Sequence, residues 1–163
     1  MLKVGDIVVY PMHGAGVISC VENCDVMGEK KSYYVLKLPM GNLKVMIPVD
    51  NAENIGLREV INESKLKNVV NVLKAKPEKA GGSWNKRFQA NLDRMKSGNL
   101  EEVAAVARNL IRQDKERRIS SGEKRLMDLA KQILVSELVY AAKKNIDEVE
   151  HWLDDLMTAP ARA

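Results

Sequence analysis

The chain of 163 residues has room for one ordinary domain or two small ones and is too short for a large enzyme with its own cofactor domain. Its 26 basic and 22 acidic residues give a net charge of +4, and 45% hydrophobic with 29% charged residues is the composition of a folded chain rather than a disordered one. No apolar run approaches the roughly 20 residues of a membrane helix and no charged-then-apolar leader opens the chain, so a cytoplasmic protein without membrane contact is expected.

Composition shifts sharply along the chain: the first third is rich in Val, Ile, Tyr and Gly, whereas everything after residue 84 is rich in Ala, Leu, Glu, Lys and Arg. Strand-formers therefore precede helix-formers. Strands are expected at 6–10, 15–21, 32–38 and 43–48, separated by turns at 11–14, 23–31 and 40–42. Short strands at this even spacing predict a small, strongly bent antiparallel sheet or barrel. Leu43, Val45 and Ile47 alternate with Lys44, Met46 and Pro48, which buries one face of the last strand and wets the other.

Between Glu63 and Lys76 the apolar residues Leu66, Val69, Val70, Val72 and Leu73 recur at helical spacing, and this helix is expected to close the β domain. Pro77 stops it, and Lys79 to Ser83 read as a flexible linker ending in an N-cap. The chain is thus divided into a β domain with its closing helix over 1–76, a linker over 77–83 and a helical domain over 84–163. Four helices follow. Trp84 to Lys96 stops at Ser97-Gly98; Asn99, with Glu102 as capping-box partner, opens a helix to about Lys115. Ser120 with Glu123 opens a long helix to about Lys144 that carries Leu126, Leu129, Ala130, Ile133, Leu134, Leu138 and Val139 inward. Asn145 with Glu148 caps the last, through Leu156. The expected fold class is α+β in two domains, a small antiparallel β domain and then an all-α bundle.

Charge is uneven: +2 over residues 1–76 (10 basic, 8 acidic), +5 over 77–127 (12 basic, 7 acidic) and −3 over 128–163 (4 basic, 7 acidic). The basic middle, including Lys86, Arg87, Arg112 and Lys124, either attracts a polyanion or is simply a solvated helical face. Trp84, one of two tryptophans, stands beside Asn85-Lys86-Arg87 directly after a Gly-Gly pair. At a first helical turn such a ring can plug the end of a bundle. Projecting from a basic face, it can instead enter a minor groove and wedge against an unstacking base step. Trp152, among acidic residues, is expected in the core.

Other chemistry is poorly supported. His13 and His151 lack a flanking ligand pattern, and Cys20 and Cys24 form half of a zinc site at best. Gly14-Ala15-Gly16 is not followed by a helix and reads as a β-turn rather than a phosphate loop. Glu101-Glu102 and Asp154-Asp155 sit in first or last helical turns, where capping or solvation explains them. Neither catalysis, metal nor cofactor is expected.

The combination resembles the CarD/CdnL family of bacterial RNA polymerase-binding transcription regulators. The residues that carry the resemblance are Val4 to Gly16 (VGDIVVYPMHGAG) and Pro48 to Ala52 (PVDNA) in the β part, and Ser83 to Leu92 (SWNKRFQANL) and Ser120 to Arg125 (SSGEKR) in the helical part. The opening motif is shared with the polymerase-interacting module of the transcription-repair coupling factor, and the tryptophan helix separates the two. The resemblance implies a Tudor-like β domain docking on the β subunit of RNA polymerase through an edge strand, here with Lys44, Val45, Met46 and Ile47. It also implies promoter DNA as a partner, with Trp84 in the minor groove at the upstream edge of the melted bubble. Lys86, Arg87, Arg112 and Lys124 would hold phosphates. Where the family's strand commonly offers an arginine, this sequence has Met46, with Lys44 two residues earlier.

Tethering to polymerase makes DNA contact intramolecular, so weak and sequence-tolerant contacts suffice to slow bubble collapse and stabilise the open complex. Two rivals stand beside this expectation: a protein–protein adaptor without DNA contact, and an RNA-binding β domain with a helical appendage. A monomer is the default, with a strand-swapped dimer as the alternative.

Overall fold

Among the described residues four strands make one antiparallel sheet in chain order, β1 (Ile7–Tyr10), β2 (Gly14–Val26), β3 (Glu29–Lys37) and β4 (Lys44–Pro48). The computed structural model describes residues 2–40, 43–78 and 81–158. Gly41 and Asn42 of the expected third turn, and Lys79 and Ala80 of the expected linker, lie outside that range. The sheet's inner face buries Val8, Ile18, Tyr34, Leu36, Leu38 and Ile47, and a register shift between Ile18 and Cys20 marks a bulge in β2.

Two expectations about turns are corrected. The hydrophilic stretch 23–31 is not a turn: β2 and β3 run on through it as an exposed two-stranded ribbon, pairing Val26 with Glu29. It closes at Met27-Gly28, both at positive φ (51° and 81°), the backbone that matches the twist of a two-residue hairpin. The polarity of this segment reflects solvent on both faces of the ribbon. Likewise Gly14-Ala15-Gly16 begins β2, with Gly14 opposite Tyr10, and the turn precedes it at 11–13. Leu43 lies just outside β4 and is exposed rather than buried.

After β4 a 3-10 turn (Val49–Asn51) sends the chain back along the sheet. Arg58 then pairs with Val9 through N–H···O bonds of 2.8 and 3.1 Å, covering the outer side of β1. Among the described residues this leaves β4 as the sheet's uncovered edge.

Among the described residues five helices follow: α1 (Glu63–Lys74), α2 (Trp84–Lys96), α3 (Leu100–Glu116), α4 (Ser121–Ala141) and α5 (Ile146–Thr158). The four ends marked by cap signals form where expected, with Ser83, Asn99 and Ser120 each accepting a backbone N–H and Asn145 exchanging bonds with Glu148. The Ser120–Glu123 capping box is complete, whereas Glu102 turns away from Asn99 to pair with Arg94 at 2.6 Å. Helix α4 ends earlier than expected, at Ala141, with Lys143 at φ 55°.

Helix α1 does not close the β part. Its buried residues Val69 and Leu73 join Met95, Val103, Leu110, Leu134, Leu138, Val149 and Leu153 in the helical core. The physical reason is supply: Leu2, Val49, Ile55 and Leu57 already pack on the β core, so the stripe of α1 is left for the bundle. The two parts meet along α4. Ser136 accepts the Ala15 N–H at 2.9 Å, and the fully buried Glu137 binds Arg58 and the Ile61 N–H.

Candidate nucleic-acid interface

Ser83 caps α2 through its side chain, which accepts the Lys86 N–H, and so fixes Trp84 as the first helical residue. Two contacts then hold the ring. One face stacks on Phe88, a turn along, with centroids 5.0 Å apart and planes 12° from parallel. Its N–H donates to Glu123 Oε1 at 3.1 Å and to Ser120 Oγ at 3.2 Å, both in the capping box of α4. Gly122 lies beneath the six-membered ring, where an added Cβ would stand 3.5 Å from Cζ2. The residue is nevertheless 40% exposed. The ring is neither a buried plug nor a loose flap: one edge is fastened to α4, one face is stacked on Phe88 and the rest is open to solvent.

The basic residues expected to accompany it divide into two groups. Lys86 is exposed on the same helical turn, its stem lying over Gly82, and Arg87 donates to the Gly82 carbonyl at 3.0 Å. Lys124 is exposed in the first turn of α4, next to the carboxylate that holds the indole. Thus Trp84, Lys86, Arg87 and Lys124 share the end of the bundle where the N-termini of α2 and α4 meet, an end whose backbone dipoles add to the positive potential. Arg112 is half-buried on α3, as Arg87 is on α2.

Two other basic residues of the middle segment are structural. Arg94 binds Glu78 at 3.0 Å and Glu102 at 2.6 Å, while the buried Arg108 binds Glu78 at 3.0 Å and the Val72 carbonyl. The hydrogen bond from Arg94 holds the Glu78 carboxyl below its ordinary pKa. Burial works against the charged form of Arg94, but the bonds to Glu78 and Glu102 together outweigh it and raise the guanidinium above its usual value.

On the sheet edge, Lys44 and Met46 are exposed and Val45 half-buried, as alternation requires. Ile47 is fully buried in the β core, so only its backbone is available at the edge. Trp152, expected in the core, is half-buried under Lys144, whose ammonium sits 4.6 Å from the ring centroid.

Two relationships escaped the sequence. Glu123 is legible as a cap, but its second task of holding the indole is not, because Trp84 lies 39 positions away. Glu137 carries a clearer signal: it falls on the stripe of Ala130, Ile133 and Leu134, where a charge needs a partner. Among the described residues no cluster of His, Cys, Asp and Glu is placed to hold a metal, and no helix is long and apolar enough to cross a membrane.

Comparison with known proteins covers both parts. Residues 2–61 match the model of the CarD-like/TRCF RID domain, and residues 68–154 match that of the CarD C-terminal domain. The chain is also 36% identical over 138 residues to the candidate transcription factor YdeB of Bacillus subtilis (strain 168), covering 85% of this chain and 90% of that protein. The second match begins inside α1, in keeping with the packing of that helix on the bundle.

Proposed function

This chain belongs to the CarD family of transcription regulators, and we propose that it stabilises the open promoter complex by presenting Trp84 to the upstream edge of the bubble while its β part holds RNA polymerase. As a member of that family it is a transcription regulator rather than an enzyme. The β part contains the family's RNA polymerase-interacting module. The proposed contact runs along β4, the uncovered edge, through the backbone with Lys44, Val45 and Met46 flanking it, on the polymerase β subunit. Met46 brings apolar contact in place of a guanidinium.

One observation carries the DNA half of the reading: a 40% exposed tryptophan, braced on one edge, stands among Lys86, Arg87 and Lys124. A flat apolar ring of this kind can enter a minor groove and hold a partly unstacked step. Stacking contributes about 1–3 kcal/mol per base, comparable with the few kcal/mol that unstacking costs, so a wedge traps an opening better than it creates one. Lys86, Arg87 and Lys124 would meet phosphates, with Arg112 as a lesser contributor. Asn85 is exposed beside Trp84 and Gln89 donates to Asp93 at 3.1 Å, and these scattered amides do not make the Arg, Asn and Gln array of a base-reading helix, which favours kinetics and groove shape over sequence readout. Working on polymerase in this way places the protein in the cytoplasm, at the nucleoid.

Tethering explains why so modest a basic patch is adequate, since polymerase binding converts DNA contact into an intramolecular step. Binding to a forked promoter fragment, measured alone and with polymerase, tests this. A gain that needs both polymerase and Trp84 supports it, and a gain independent of Trp84 supports an adaptor that touches only protein.

A further inference from the structure

We infer that Glu123 is a positioning residue for Trp84, setting the plane of the wedge before DNA arrives; this rests on the wedge reading above. Glu123 is 4% exposed although it is ionisable and lies in the first turn of a helix. A capping-box glutamate needs to reach only its own N-cap backbone, and such residues are ordinarily solvated. Here Oε1 accepts three donors: the Ser120 hydroxyl at 3.0 Å, the Ser120 N–H at 3.4 Å and the Trp84 indole N–H at 3.1 Å. The buried carboxylate fastens the ring.

The arrangement removes the freedom that a surface tryptophan would otherwise have. Rotation of the side chain would break the bonds to Glu123 and Ser120 and the stack on Phe88 together. A wedge ordered in the free protein does not pay its rotamer entropy on entering DNA, which lowers the cost of each capture of a transient opening. The same bonds keep the only polar atom of the ring engaged with protein. What Trp84 offers outward is apolar surface, which suits a step that tolerates many sequences.

The test uses the full chain with Trp152→Phe, so that Trp84 is the sole tryptophan, and reads both its fluorescence anisotropy decay and the lifetime of open complexes on a fixed promoter. Glu123→Gln retains an acceptor and a capping side chain and should leave both readouts near those of the parent. Glu123→Ala, which leaves Ser120 Oγ and Phe88 on the ring, should increase its nanosecond motion and shorten the open-complex lifetime by about two- to tenfold, the range expected for a lost hydrogen bond. Replacing Trp84 with β-(3-benzothienyl)alanine removes the N–H donor while leaving the ring and the α4 cap intact, so it reports even where Glu123→Ala weakens the helix. With no tryptophan left it is read by open-complex lifetime alone, and because it loses the bonds to both Glu123 and Ser120 it should shorten that lifetime at least as much as Glu123→Ala. A parent-like lifetime in the benzothienyl protein, or a Glu123→Ala ring that stays as ordered as the parent's or moves more with an unchanged lifetime, would overturn the inference. An unchanged lifetime in Trp84→Ala would instead remove the wedge itself.

Discussion

Arg58 and Glu137, 79 positions apart, meet in a two-point ion pair with both N···O distances at 2.7 Å and the carboxylate fully buried. Arg58 belongs to the segment that covers β1, and Glu137 lies in the middle of α4, so the pair joins the two parts of the molecule. A third bond, from the Ile61 N–H at 2.9 Å, completes the carboxylate's partners, and Arg58 Nε donates to the Gly98 carbonyl at 2.6 Å. Arg58→Ala strands a buried charge and should destabilise the protein by about 3–5 kcal/mol. Glu137→Gln, which keeps an acceptor and no charge, should cost less. Urea unfolding of both variants checks the order; equal or reversed losses would show that the pair is not what holds the seam.

Gly14 tests the same seam from the sheet. Its φ of 116° is disfavoured for other residues, and an added Cβ would collide with the Ser136 hydroxyl that accepts the Ala15 N–H. Gly14→Ala should therefore lower the unfolding midpoint much more than Gly28→Asn, because position 28 also has positive φ but opens on empty space. Similar midpoints for the two would mean that backbone conformation alone sets the cost.

Lys86 and Arg87 give a prediction read from salt. Each phosphate contact contributes about 0.9 to the logarithmic salt slope of duplex binding, so Lys86→Ala with Arg87→Ala should lower the slope by up to about two units. Titration of promoter DNA onto the protein–polymerase complex across a salt series measures it. An unchanged slope would place both side chains away from the backbone.

Glu78 predicts a pH dependence. Its carboxyl is held below its ordinary value of 4.5, chiefly by the hydrogen bond from Arg94. A depressed carboxylate binds fewer protons folded than unfolded, so its contribution is present at pH above 4.5 and is lost as pH falls below it, toward the folded-state value. The side chain is 56% exposed, so solvent screening keeps the effect small. Glu78→Gln should flatten the acid limb of the stability curve slightly while leaving the plateau above pH 6 reduced by a constant amount. An acid limb identical to the parent's would place the titration elsewhere.

The legible parts of the fold were those written in local chemistry. Ser83, Asn99, Ser120 and Asn145 each mark a helix start because a cap needs only a side-chain oxygen and the next turn's N–H groups. The destination of α1 was not legible, because its stripe of Val69 and Leu73 fits any apolar surface and only the completed β core decides which remains open. The ribbon through residues 23–31 was hidden for a related reason: a two-stranded arm wet on both faces has no alternation to reveal it. At the candidate interface, Trp84 stood out by composition and placement, Lys86 and Arg87 came with it as neighbours in the chain, and Lys124 came only from the family resemblance. The partner of its N–H did not, since it depends on how α2 lies against α4.

Open-complex lifetime with Trp84→Ala bears most directly on the whole scheme. The ring is 40% exposed and outside the bundle core, so the variant should fold, bind polymerase as the parent does, and shorten the lifetime by about tenfold, in line with loss of a stacking contribution of about 1–3 kcal/mol. A parent-like lifetime at full polymerase occupancy would contradict it.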